Sequence, residues 1–299
     1  MRRLIGVLLL LPLSLWADTK ETLDFLFSVK QVKETAISPD GQRVGWVEAQ
    51  INKDRTESSN SFIYVRDPRA QTPRRVTAGK GDPLIEKSLA WSPDSTRLAF
   101  LSGNQKEKQL QLWLVPAAGG APQKSTELKG HLANPRWSPD GKTIALLVIA
   151  DVTRESGPLA AAKHDTGEVE EVVAEQRVVL VDVGSGKTRA ITPPDTYVYE
   201  YDWSPDGRDI AYTAAKGVGD NNWWIAKLYT MDVDSLVLRE VYKPETQIAV
   251  PRWSPDGKTI AFVQGLMSDE GSTGGDIWTV SSKGGEARNL TQGRKSSAA

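Results

Sequence analysis

Few side chains in this 299-residue chain are equipped for chemistry. There is no cysteine, which excludes disulfides, thiolate zinc sites and a cysteine nucleophile. The two histidines, His131 and His164, have no companion at metal-ligand or triad spacing. No G-x-S-x-G nucleophile elbow occurs; Gly271-Ser272-Thr273-Gly274 has its composition without its spacing. Gly184-Ser185-Gly186-Lys187 is too short for a phosphate loop and reads as a hairpin turn. Asp232 and Asp234 also read as turn residues, not as a cation site. No catalytic residue, metal or cofactor is therefore expected from the chain itself. Trp223-Trp224, after Gly217-Val218-Gly219-Asp220-Asn221-Asn222, are the candidates for substrate binding: they line a ligand surface at the edge of the fold, or they simply begin a strand.

Composition narrows the partners. With 37 basic and 38 acidic side chains the net charge is −1, too little for a basic surface that grips nucleic acid. Hydrophobic content of 39% with 25 Gly and 17 Pro describes a turn-rich globular chain. Arg2-Arg3, the apolar run Leu4 to Leu15 and Ala17 together read as a secretory signal peptide over residues 1–17. The run is short for a membrane span, so no stable span is expected after cleavage, and the location is periplasmic or secreted. Removing two arginines leaves 35 basic against 38 acidic residues, a mature charge of −3.

The elements that must position any site are set by a repeat. Ile37-Ser38-Pro39-Asp40-Gly41 recurs as Trp91-Ser92-Pro93-Asp94-Ser95, Trp137-Ser138-Pro139-Asp140-Gly141, Trp203-Ser204-Pro205-Asp206-Gly207 and Trp253-Ser254-Pro255-Asp256-Gly257. Ser, Pro, Asp and Gly in this order suit a type I turn, with proline presetting φ and the carboxylate accepting from nearby amides. An alternating strand follows each turn, as in Arg97-Leu98-Ala99-Phe100-Leu101 and Thr143-Ile144-Ala145-Leu146-Leu147. A second strand such as Leu112-Trp113-Leu114-Val115 and a short closing strand such as Ala190-Ile191-Thr192 come next. With the stretch that ends in the tryptophan, each repeat holds four antiparallel strands. That is a blade of a β-propeller.

The expected architecture is all-β: five four-stranded blades over 37–299, with an insertion at 155–176. A short helix and lead-in segment occupy 18–36, where Asp18 stands three residues before Glu21 and Leu23, Leu26 and Phe27 share a face. Four of the ten tryptophans precede a Ser-Pro-Asp turn and so share one structural role, a wedge between neighbouring blades. Trp46, Trp113 and Trp278 lie in strand patterns and are expected in the core.

The W-S-P-D-G repeats resemble the propellers of the prolyl oligopeptidase family of serine peptidases, which includes dipeptidyl peptidase IV, and secondarily that of the periplasmic protein TolB. Leu26 to Val32 before the first repeat, and Gly284-Gly285-Glu286-Ala287-Arg288-Asn289-Leu290-Thr291 at the end, resemble segments of the peptidase propeller. The resemblance implies a propeller of seven or eight blades, incomplete here. It also implies an α/β-hydrolase domain carrying the catalytic Ser, Asp and His, so the chain alone is expected to be inactive. The propeller would gate that site and position peptide substrates. In the dipeptidyl peptidase branch a glutamate pair holds the substrate's amine; Glu170-Glu171 in the insertion are the matching candidates, without the aromatic residues usual beside them. The TolB likeness implies instead a non-enzymatic propeller that binds an envelope protein.

Overall fold

In the computed structural model, residues 30–51, 57–67, 69–76, 84–104, 109–151, 175–217, 220–266, 274–294 and 298 are described. They form five antiparallel sheets of four strands, each sheet built from one repeat. Blade one holds β1 (Gln31–Ile37), β2 (Val44–Ile51), β3 (Glu57–Arg66) and β4 (Arg74–Arg75). Blade two holds β5 (Leu84–Trp91), β6 (Arg97–Asn104), β7 (Gln111–Pro116) and β8 (Gln123–Lys124). Blade three holds β9 (Gly130–Trp137), β10 (Thr143–Ala150), β11 (Gln176–Asp182) and β12 (Thr188–Ala190). Blade four holds β13 (Thr196–Trp203), β14 (Asp209–Lys216), β15 (Lys227–Asp232) and β16 (Leu238–Tyr242). Blade five holds β17 (Gln247–Trp253), β18 (Thr259–Gly265), β19 (Asp276–Ser281) and β20 (Arg288–Asn289).

Blade one starts before residue 37, because the segment read as its lead-in supplies the inner strand β1. The helix expected near 18–30 lies outside the described residues. The insertion falls within blade three, between β10 and β11, and its last residue, Gln176, already belongs to β11.

The Ser-Pro-Asp-Gly turn joins the first two strands of every blade through one hydrogen-bond pattern. The serine hydroxyl donates to the aspartate at 2.5–2.7 Å in all five copies. The same carboxylate oxygen accepts the amide two residues on, at 3.0–3.1 Å. The serine oxygen in turn accepts the amide that opens the second strand, at 2.9–3.0 Å. The fourth position has a positive φ, 69° at Gly41 and 60° at Ser95, so glycine is the easier residue there. These bonds to the ionised form hold all five aspartates below the usual carboxylate range, Asp94 at about 2.

The tryptophans join the blades. Trp91 Nε1 donates to the carbonyl of Ala36, Trp137 to Ala90, Trp203 to Arg136 and Trp253 to Asp202, each at 3.1–3.2 Å. The acceptor is always the residue two before the turn serine of the preceding blade. Each indole thus buries a large apolar body in the junction and satisfies its one donor on the neighbour. The core follows the same plan, as four apolar clusters, one at each junction between successive blades. The small residue in the second strand allows the close approach: a Cβ on Gly45 would stand 2.8 Å from Leu89 Cδ2.

The two outer faces of the array are unlike the inner ones. Ile37 stands where the other blades have tryptophan, and it is 69% exposed. Trp46 occupies the position of the buried Phe100, Leu146, Tyr212 and Phe262, yet it is half-buried. It stacks on Tyr64 at 5.7 Å, and its Nε1 donates to Glu48, which also holds Lys30 at 3.1 Å. At the far end, Ile277 and Leu290 are exposed, although their counterparts Ile63, Leu112, Val178 and Leu228, and Val76, Ile191 and Val241, are buried. No strand of blade five is hydrogen-bonded to blade one among the described residues.

Trp137→Phe removes one buried hydrogen bond and should cost about 1 kcal/mol, whereas Trp137→Ala should cost about 3–5 kcal/mol, both read by urea unfolding. Ile37→Trp has no carbonyl to reach and should change stability by less than ~0.5 kcal/mol. In acid, the turn aspartates have folded pKa values below their unfolded ones. Their contribution is therefore present above about pH 4 and lost as pH falls toward about 2. Asp94→Asn should flatten the acid limb of a melting-temperature profile and leave the neutral region's slope unchanged.

Candidate functional site

The five inner strands converge on a funnel of about 840 Å³, lined by residues of every blade and by turn prolines such as Pro39 and Pro93. One local irregularity builds it. Each inner strand breaks register with its neighbour at the same point, beside Glu34, Ser88, Asn134, Glu200 and Val250. All five lie four residues before a turn serine. Such bulges re-aim side chains out of the pleat. Ser88, Asn134 and Val250 carry positive φ of 59°, 50° and 56°, the last a strained value for a β-branched residue.

Carboxylates stitch one bulge to the next. Glu34 accepts the amides of Ser88 and Leu89 in blade two at 2.9 and 3.0 Å. Glu200 accepts the amide of Val250 in blade five at 2.5 Å. Asp202 accepts the amide of Trp253 at 3.2 Å and pairs with Arg136 of blade three at 3.2 Å. Burial raises the pKa of Glu200 and of Asp202, and the nearby arginines and accepted amides oppose that rise. Tyr201, wholly buried, places its hydroxyl against the carbonyls of Asn134 and Ala145; burial drives its pKa far up, so it serves as a donor and not as an acid.

Arg252 differs from these groups. Its side chain faces the open funnel, and its one hydrogen bond among the described residues runs from Nη1 to the carbonyl of Pro251 at 2.7 Å. Among the described residues no carboxylate lies within ion-pair distance of it. Desolvation lowers its pKa first and the charge of Arg136 second, while the charges of Asp202 and Glu200 oppose that fall. The funnel can therefore supply guanidinium donors to an anion, while its carboxylates are already engaged with backbone amides. Among the described residues no group of His, Asp and Glu could hold a metal ion.

The sequence candidates lie elsewhere. Trp223 and Trp224 sit in a short 3-10 helix, Asp220–Ile225, that follows β14. They do not begin a strand, since β15 starts at Lys227. Trp223 is half-buried and Trp224 is 56% exposed, at the end of β14 opposite its Ser-Pro-Asp-Gly turn and away from the funnel lining. Glu170 and Glu171 lie outside the described residues. The funnel residues were within reach of the sequence: two and four positions before each turn serine, the repeats read Ala36 and Glu34, Ala90 and Ser88, Arg136 and Asn134, Asp202 and Glu200, Arg252 and Val250. Charges recurring at these offsets were the signal.

Asp202→Ala should cost about 1–3 kcal/mol in urea unfolding, because it leaves the Trp253 amide and the Arg136 guanidinium without their acceptor. Asp202→Asn, which keeps one acceptor oxygen, should cost less.

No known family model matches the chain. An uncharacterised peptidase of Bacillus subtilis, YuxL, is 27% identical over 208 residues, which cover 64% of this chain and 31% of that protein. Dipeptidyl-peptidase 5 of Porphyromonas gingivalis is 25% identical over 149 residues, 46% of this chain and 19% of that one. The aligned parts thus span a third or less of these relatives. Among solved structures, a TolB from Agrobacterium tumefaciens superposes with a TM-score of 0.57 at 18% identity, covering 87% of this chain and 80% of that one. The chain is a β-propeller related in sequence to peptidases, with TolB as its second likeness.

Proposed function

We propose that this chain is the propeller portion of an exported serine peptidase, which gates and positions short peptides for a hydrolase domain carried on the same polypeptide. The observation that carries this reading is the kinship with a peptidase over 208 residues, of which the aligned part is only 31%. The exposed apolar positions on the outer faces of blades one and five support it, because a longer propeller would cover them. Export rests on the signal-like residues 1–17. No helix among the described residues is long and apolar enough to cross a membrane. The catalytic serine, aspartate and histidine belong to the hydrolase domain in this reading. A second reading, a TolB-like propeller that binds an envelope protein, is favoured by the 80% coverage of the TolB chain.

The 299-residue chain should not turn over aminoacyl- or dipeptidyl-chromogenic substrates. The coding frame beyond residue 299 should carry a G-x-S-x-G elbow within a few hundred codons. Turnover by the chain that a serine-directed phosphonate abolishes, or a frame without the elbow, overturns the proposal. A cooperatively melting monomer that captures a defined envelope protein would establish the TolB-like reading in its place.

A further inference from the structure

Bound peptides present few groups that a propeller funnel can grip, and the funnel here holds one clear excess. Its carboxylates are occupied: Glu34 by two amides, Glu200 by one, and Asp202 by one amide and by Arg136. A guanidinium has five N–H donors, and Arg252 uses one, on the carbonyl of Pro251. The geometry is fixed from both sides. Pro251 and Trp253 bracket Arg252, Pro251 is buried, and the Trp253 indole is tied to the carbonyl of Asp202 at 3.2 Å. Arg136 lines the same funnel, its backbone carbonyl held by the Trp203 indole at 3.1 Å and its guanidinium by Asp202 at 3.2 Å.

We propose that Arg252, with Arg136 beside it, forms a carboxylate subsite in the funnel, and that it takes the free C-terminal carboxylate of a short peptide. Both guanidiniums line the funnel and act on one another electrostatically, and their unused N–H groups are donors for an anion. The neighbouring acids do not fill the role, since each already points an oxygen at a backbone amide in the next blade. A carboxylate is the one anion that every unblocked peptide carries whatever its side chains, so the subsite would select short free peptides over internal segments of a folded protein. The choice of a peptide rests on the peptidase reading above; the anion subsite itself rests on the funnel alone.

The test uses the full 299-residue chain and calorimetric titration with N-acetyl-trialanine and with the same peptide amidated at its C-terminus. The free acid should bind roughly tenfold tighter or more, the size of a lost charge-assisted hydrogen bond. Arg252→Gln should reduce it to the level of the amide, and Arg252→Lys should restore part of the difference. Arg252 faces the funnel and makes one backbone hydrogen bond, so both variants should melt like the parent, which separates a lost subsite from a lost fold. Equal binding of acid and amide, or an unchanged affinity in Arg252→Gln, overturns the subsite and leaves the peptidase reading standing. Binding of succinate that depends on Arg252, with no binding of either peptide, upholds the anion subsite and overturns the peptide assignment. No binding of any of the three overturns both.

Discussion

The tryptophan before each turn joins the blades: a single N–H donated by its indole to a carbonyl of the blade before it. A β-sheet has two faces, and a blade must bury both without a covalent link to its neighbours beyond one connecting segment. An apolar side chain alone would supply area but no orientation. The indole supplies both, because its one donor has to find an acceptor once the ring leaves water. That acceptor is a backbone carbonyl at a fixed offset, so the bond sets the angle and distance between blades and not merely their contact. Four such bonds at 3.1–3.2 Å, above four apolar clusters, amount to one junction used four times.

The funnel depends on that junction. Because the acceptor carbonyls belong to residues two before the turn serine, the side chains at that position, Arg136 and Asp202 among them, are held by their own backbones. The bulges four before the serine then face one another around the axis, and Glu34 and Glu200 reach across to the amides that the bulges release. A strand irregularity that would elsewhere leave amides without partners becomes a means of joining blades. The cost appears at Val250, whose positive φ is tolerated because Glu200 holds its amide.

Much of this was legible in the residues. The spacing of the Ser-Pro-Asp turns implied blades of four strands, and the recurrence of Trp at one offset implied a wedge, because both follow from local rules of turn and strand chemistry. Two things were not legible by that route. The start of blade one was misplaced, since Gln31–Ile37 lacks a closing tryptophan and its alternation is weak. The funnel was missed because its charges come from four strands far apart in sequence, each unremarkable alone; only a comparison of equivalent offsets gathers Glu34, Arg136, Glu200, Asp202 and Arg252. Trp223-Trp224 stood out as an unusual pair, yet rarity in the sequence did not place them with the charged groups.

Ile37 gives the array a direction. Every indole bond reaches from a later blade to an earlier one, so each junction needs only one new blade and a partner the ribosome has already made. A blade leaving the exit tunnel finds its acceptor carbonyl presented by a folded predecessor, while blade one, with isoleucine in place of the indole, has no backward bond to wait for. Its half-buried Trp46, stacked on Tyr64 and tied to Glu48, partly shields its outer face. The four described junctions can therefore form one after another, each between blades adjacent in sequence.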